Sequence, residues 1–315
     1  MSAETENRFQ SAVKEIFAAG TTRTILSVFL GFVVGAFFMI FSNEHVLTAA
    51  QYFTARPMDT LAASWNAVLE GYSALFRGAI YNYERADDPV AAIRPLTETL
   101  RFASPLIAAG LGIALGFRVG LFNIGGNGQL LFGVLWATWI STRVELPLGV
   151  HLVVAILMAI LGAAVYGAIV GFLKARTGAH EVIVTIMMNY IAIDLFTFFL
   201  RTPSLLLEEG GGGNPKSDPP ALTAQFPRLL GESFGLNIGI ILAIAAAVVY
   251  WWLMERSAVG YRFRMVGHNA NAARAAGISV ERTYVWAMAA SAAFIGLAAA
   301  NQGLGATSGL TSSIH

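Results

Sequence analysis

"LFNIGGNGQLLFG", residues 121–133, decides how the rest of the chain is read. Asn123, Asn127 and Gln129 sit here with Gly125, Gly126 and Gly128, between two stretches that are almost pure hydrocarbon. In a soluble protein such a run would be an ordinary loop. Its neighbours set a different context. Of the 315 residues, 56% are hydrophobic and 12% charged, against about 25% charged in a typical soluble domain. The charges collect between long apolar runs, so the chain reads as an all-α, polytopic transmembrane helical protein. Polar groups inside lipid must face protein or a watery cavity, because unpaired ones cost several kcal/mol.

A spanning helix needs about 20 mostly apolar residues. Seven stretches approach that length: Ile25–Phe41, Ala103–Phe117, Leu121–Ile140, Leu148–Leu173, Val182–Leu200, Leu236–Met254 and Tyr284–Leu304. The first is read as a retained span, since its leader carries Glu4, Glu6 and Glu15 and its apolar run exceeds a signal-peptide core. Thr60–Tyr83 is amphipathic and is expected along the membrane interface, where Trp65, Tyr72, Tyr81 and Tyr83 are at home. Residues 1–24 then form a cytoplasmic N-terminal segment and residues 25–315 a single membrane domain.

Lys and Arg in short loops set the orientation. With the N-terminus inside, the inner loops hold Arg118, Lys174, Arg176, Arg256, Arg262, Arg264, Arg274 and Arg282. The outer loop from Arg201 to Gly235 balances its basic residues with Glu208, Glu209, Asp218 and Glu232. Arg56, Arg77, Arg85, Arg94 and Arg101 run against the pattern, but long or interfacial segments weigh less in it. Ala108, Gly112 and Gly116, and again Ala163, Gly167 and Gly171, recur every four residues and read as seams where helices pack closely.

Several chemistries drop out. The absence of cysteine excludes disulfides, iron–sulfur clusters and thiol catalysis. A net charge of +1 without a dense basic face gives nucleic acid no purchase. "GGGGNPKS", Gly210–Ser217, imitates a phosphate-binding loop, yet Pro215 stands where that loop needs Gly and no strand precedes it. The chain has no ATPase motif of its own. "HEVIV" puts Val184 where a zinc-protease helix needs its second His. No metal, cofactor or catalytic group is called for.

The polar stretch remains. Asn123 and Asn127, four apart, would share one helix face, but each Gly costs a helix interior about 1 kcal/mol. A broken or re-entrant helix near Asn123–Gln129 is therefore expected, its free end turned toward a cavity and a polar solute. Asn189 and Asp194 in "EVIVTIMMNYIAID" join Asn123, Asn127 and Gln129 as candidate pathway residues; the alternative is that the amides only bond helices together.

Three stretches carry a resemblance. "GFRVGLFNIGGNGQLLFG" (Gly116–Gly133), "TGAHEVIVTIMMNYIA" (Thr177–Ala192) and "GYRFRMVGHNANAARAAGIS" (Gly260–Ser279) resemble bacterial ABC-importer permeases of the branched-chain amino acid, ribose and nucleoside family, and most closely its nucleoside branch. The likeness runs from about Leu96 onward. One departure is Asn127, where that branch usually has Glu; the amide drops a charge but can donate as well as accept. The resemblance implies a multi-pass permease of the bacterial inner membrane, in membrane lipid and working by alternating access. Its partners would be ABC ATPase subunits, a second permease subunit and an extracytoplasmic solute-binding lipoprotein. It also gives residues 255–283 a role as the cytoplasmic coupling loop, in which Gly267, Asn269, Ala272, Ala273 and Gly277 shape a short helix that seats in the ATPase. Family members continue through further spans, so the likeness implies a chain incomplete at its C-terminal end. Phe122 or Tyr190 would stack on a nucleoside base. Rival readings are a ribose or branched-chain amino acid permease, an ATPase-independent carrier or channel, and an intramembrane enzyme acting through Asp194, His180 and Glu181.

Overall fold

A computed structural model describes residues 20–207, 215–305 and 309–311. Most of the N-terminal segment 1–24, Gly210–Gly213 of the false phosphate loop and the last few residues lie outside the described part. The chain forms two compact units, Met1–Asp87 and Asp88–His315.

In the first unit, α1 (Gly20–Ser42) is an apolar span, followed by α2 (Glu44–Ala50) and α3 (Pro57–Ala79). Asn43 caps α2, its side-chain oxygen accepting from the His45 and Val46 N–H groups. The amphipathic segment is α3, and it does more than rest at an interface. The Tyr72 hydroxyl donates to the Phe32 carbonyl of α1, and the two rings meet edge to face at 5.2 Å.

The second unit holds α4 (Pro89–Arg118), α5 (Gly126–Arg143), α6 (Val150–Thr177), α7 (Glu181–Arg201), α8 (Gly239–Arg256), α9 (Ala258–His268), α10 (Ala270–Ala275) and α11 (Val280–Leu304). No named strand occurs among the described residues; pairing is limited to isolated bridges. Among the described residues, six helices are long and apolar enough to cross a membrane: α1, α4, α6, α7, α8 and α11. The seventh expected stretch becomes α5. It starts at Gly126 rather than Leu121, and Asn127, Gln129 and Arg143 keep its 18 residues below a span's apolarity.

Helix α11 is the centre of this unit, packed on α6, α4 and α5. Its alanine- and glycine-rich sequence makes that possible. A Cβ on Gly112 of α4 would stand 2.4 Å from the Ser291 carbonyl, and one on Gly167 of α6 would stand 2.4 Å from the Ala292 Cβ. Gly171 meets the α11 backbone at Val285 in the same way. The small-residue ridges are thus packing seams, and both close on α11.

The unit has two chemically different ends. At one, Lys174 reaches Glu181 at 2.6 Å and lies 5.4 Å from the Tyr284 ring centre. Arg274 pairs there with Glu281 at 2.9 Å. At the other, the loop after α7 folds back over the helix ends. Arg143 donates to the Leu205 and Leu207 carbonyls and pairs with Asp218 at 3.4 Å. The Ala221 N–H bonds the Ser141 carbonyl. Buried His151 joins Thr223 Oγ1 at 2.7 Å to the Ile140 carbonyl at 3.1 Å through its two ring nitrogens.

Candidate functional site

The site grows out of the way α4 ends. Gly120 takes a left-handed φ of 74°, its N–H bonds the Phe117 carbonyl, and the Leu121 N–H reaches back to Gly116. This pair of bonds is the Schellman stop, which requires a residue that tolerates positive φ. The chain then re-enters the bundle as irregular backbone before α5 begins. Asn123 meets Ser291, eleven residues into α11, about 16 Å from the helix start at 1.5 Å per residue. Backbone of this kind survives at membrane depth only where protein or a watery cavity satisfies it.

Satisfaction is complete around Asn123. Its Nδ2 donates to Gln129 Oε1 and to Ser291 Oγ, both at 3.0 Å. Its Oδ1 accepts from the Gly125 N–H and from Gln129 Nε2, both at 3.1 Å. The Ser291 hydroxyl in turn donates to the Gly112 carbonyl at 2.7 Å. Asn123 is 4% exposed, Gln129 1% and Ser291 0%. The two amides face each other head to tail, closed by a serine, and their burial turns them toward protein rather than toward a solute.

Asn189 does a different job. Gly125 occupies the N-cap position of α5 and has no side chain to cap it. The cap comes instead from α7: Asn189 Oδ1 accepts the Gly128 N–H at 2.8 Å, while its Nδ2 donates to the Ile124 carbonyl at 3.0 Å. That is the N3 position, where a capping oxygen ordinarily bonds. Gly128 permits the approach, since a Cβ there would meet Asn189 and Ala192 at 3.0–3.2 Å.

The remaining two candidates face outward. Asn127 is exposed, and its side chain makes no hydrogen bond among the described residues. Asp194 is exposed on α7 without an ion pair among the described residues. It shares a helical face with Tyr190, which is 67% exposed, and with Met187 and Phe198. Phe122 and Ile124 also face out, on either side of buried Asn123. The structure therefore pairs Asn123 with Gln129, sets Asn189 on the backbone of the same stretch, and leaves Asn127 and Asp194 outside these bonds.

Sequence reasoning missed three participants. Ser291 is hidden in an alanine run, Thr185 presses its methyl group toward Gly125, and Tyr166 donates to the Met188 carbonyl at 2.7 Å while stacking on Phe132 at 4.5 Å. A hydroxyl alone among alanines was the available signal for Ser291. The enzyme reading loses its geometry: Glu181 is held by Lys174, and Asp194 lies thirteen residues further along α7, about 20 Å away.

Residues 255–283, which the resemblance marks as a coupling loop, rest against the turn that precedes this site. Asn269 caps α10, accepting from the Asn271 and Ala272 N–H groups. Gly277 closes α10 with φ 81° and the same Schellman pair, to Arg274 and Ala273. Ala272 is exposed, but Ala273 is fully buried in the apolar cluster with Leu115, Val119 and Val280. Gly267 lies against the backbone of Arg118 and Val119, where a Cβ would come within 2.2 Å of the Arg118 carbonyl. The root of α10 thus rests on the turn that leads to Asn123.

A family model described as the permease component of branched-chain amino acid transport systems matches residues 96–313. The chain belongs to this permease family. It is 38% identical over 245 residues to a guanosine ABC transporter permease of Bacillus subtilis, covering 78% of this chain and 67% of that one. It is 31% identical over 250 residues to a nucleoside ABC transporter permease of Lactococcus lactis, covering 78% and 66%. A glucose ABC transporter permease of Haloferax volcanii is 36% identical over 212 residues, covering 64% and 55%. The chain thus spans 55–67% of the length of these relatives. No solved structure matches it. With six apolar helices, the permease is a multi-pass protein of the bacterial inner membrane.

Proposed function

We propose that the permease is the translocating subunit of an ATP-driven nucleoside importer, powered by separate ATPase subunits. A second permease subunit and an extracytoplasmic solute-binding lipoprotein complete the assembly. The observation that carries this reading is the division of labour within the polar stretch. Asn123 and Gln129 bond each other head to tail and hold irregular backbone at membrane depth. Asn127 and Asp194 stay open on neighbouring elements that Asn189 ties together. Exposed polar groups on apolar helices suit a watery route and are poorly suited to lipid.

In this account Asn127 and Asp194 line the route, while Asn123, Gln129 and Asn189 shape it. Tyr190 and Phe122 supply ring faces for a base. The relatives' names support a nucleoside; the glucose-permease relative supports a sugar as the second reading. Energy enters through α10. The basic end faces the cytosol, residues 255–283 meet the ATPase, and Gly267, Asn269, Ala272, Ala273 and Gly277 fix the helix that seats there. Its displacement reaches the pathway through the contact between Gly267 and Arg118, because a backbone-on-backbone contact cannot yield by rotating a side chain.

The test is ATP-dependent uptake of labelled guanosine and adenosine by vesicles holding the permease, the ATPase and the binding protein. Ribose, glucose and leucine serve as competing solutes. Nucleoside uptake supports the reading, and sugar or leucine uptake alone replaces its substrate.

A further inference from the structure

Beside the coupling segment, a groove of about 580 Å³ opens between α8, α9 and α11. Its chemistry changes along its length. At the end near α10 it is lined by Arg262, Arg282 and Ser279, and deeper along α11 by Trp286, Ala290 and, from α8, Leu253. Ala290 lies ten residues into α11, about 15 Å from its start. The depth is thus apolar and the mouth cationic.

The two guanidinium groups are uncommitted. The nearby carboxylates are already engaged, Glu255 by Arg264 at 3.5 Å and Glu281 by Arg274 at 2.9 Å. Neither Arg262 nor Arg282 has an ion pair among the described residues, and both are exposed. Trp286 is 67% exposed, an amphipathic ring about 9 Å along α11 from its start, where such rings mark the membrane boundary. A groove with two free cations at the headgroup level and an apolar trough below matches one kind of molecule, an amphiphile with an anionic head. Basic pockets between spanning helices take lipid headgroups by the same charge logic.

We propose that this groove is a site for an anionic phospholipid, its phosphate between Arg262 and Arg282 and an acyl chain along Trp286 and Ala290. The site is built from α9 and α11, the helices that flank α10. A bound lipid fills the space into which these helices would otherwise shift, and so steadies the coupling segment. The inference stands whatever solute the permease carries.

The test reads Trp286 by fluorescence. The whole permease is reconstituted in nanodiscs of phosphatidylcholine containing a small fraction of brominated phosphatidylglycerol or, separately, brominated phosphatidylcholine. The Trp286→Phe variant isolates this ring from the others. The brominated anionic lipid is expected to quench Trp286 at a far lower fraction than the brominated neutral one. The preference should be roughly thirtyfold, as for two basic side chains beside one headgroup, and Arg262→Gln with Arg282→Gln should abolish it. The comparison is made on the unaltered protein and repeated in Trp286→Phe, a ring-for-ring change at an exposed position, and only the quenching lost with this ring is scored. Equal quenching by the two lipids would overturn the proposal, as would a preference that survives loss of both arginines. So would displacement of the quencher by inorganic phosphate alone, which would mark a phosphate-ion site without a lipid.

Discussion

Asn189 and Asn127 separate what a polar residue holds from what it offers. Replacing Asn189 with Leu strips the Gly128 N–H and the Ile124 carbonyl of their partners at once. An unpaired buried group costs about 1–3 kcal/mol; the Gly128 N–H is part-buried, whereas the Ile124 carbonyl is exposed and can turn to water. Asn189→Leu is therefore expected to destabilise the protein by roughly 1–3 kcal/mol, seen as an earlier thermal transition in detergent. Asn127→Leu breaks no bond and should stay within about 0.5 kcal/mol of the parent, yet lower uptake. A matching loss of stability in the two variants would dissolve the distinction. Both amides were visible in the sequence, each about one turn from another polar group, but their roles were not. Spacing cannot show that Asn123 and Gln129 face each other, because the bond spans a break in the helix that periodicity does not register.

At the scale of elements, the proposed coupling segment makes the sharper claim. Ala272 and Ala273 look interchangeable in sequence, and the structure separates them: one is exposed, the other wholly buried. Ala272→Asp is expected to leave folding intact and abolish co-purification of the ATPase. Ala273→Asp should instead unfold the segment, since a charge would enter the cluster around Leu115 and Val119. Intact association in Ala272→Asp would remove α10 from the docking face. Gly267→Ala forces its Cβ onto the Arg118 carbonyl and should cost about 1–3 kcal/mol as overpacking, read by thermal unfolding. The helices themselves were legible because apolar length and Gly stops are local signals: Gly120, Gly178 and Gly277 each end a helix with positive φ. Starts were less legible: α5 begins five residues after Leu121, because Leu121, Phe122 and Ile124 supply apolarity without being helical, and α4 begins at Pro89, fourteen residues before the apolar run at Ala103.

For the whole molecule, the charge pattern in sequence anticipated two ends that differ, and ion pairs gather the charges at each end, Arg143 with Asp218 at one and Lys174 with Glu181 and Arg274 with Glu281 at the other. What sequence could not supply was the central position of α11, whose alanines carry little periodic signal; only its neighbours' glycines betray it. The absence of cysteine makes orientation directly measurable. Leu222→Cys, 84% exposed on the loop end, should react with an impermeant thiol reagent applied to intact cells, whereas Ala272→Cys should react only after permeabilisation. The reverse pattern would invert the topology. The measurement that bears most directly on the central claim is ATP-dependent guanosine uptake by vesicles carrying the ATPase, the binding protein and either the parent permease or Asn127→Leu. Uptake by the parent that falls in a variant of unchanged stability is the expected result. Equal uptake by both would contradict the claim that this exposed amide lines the route.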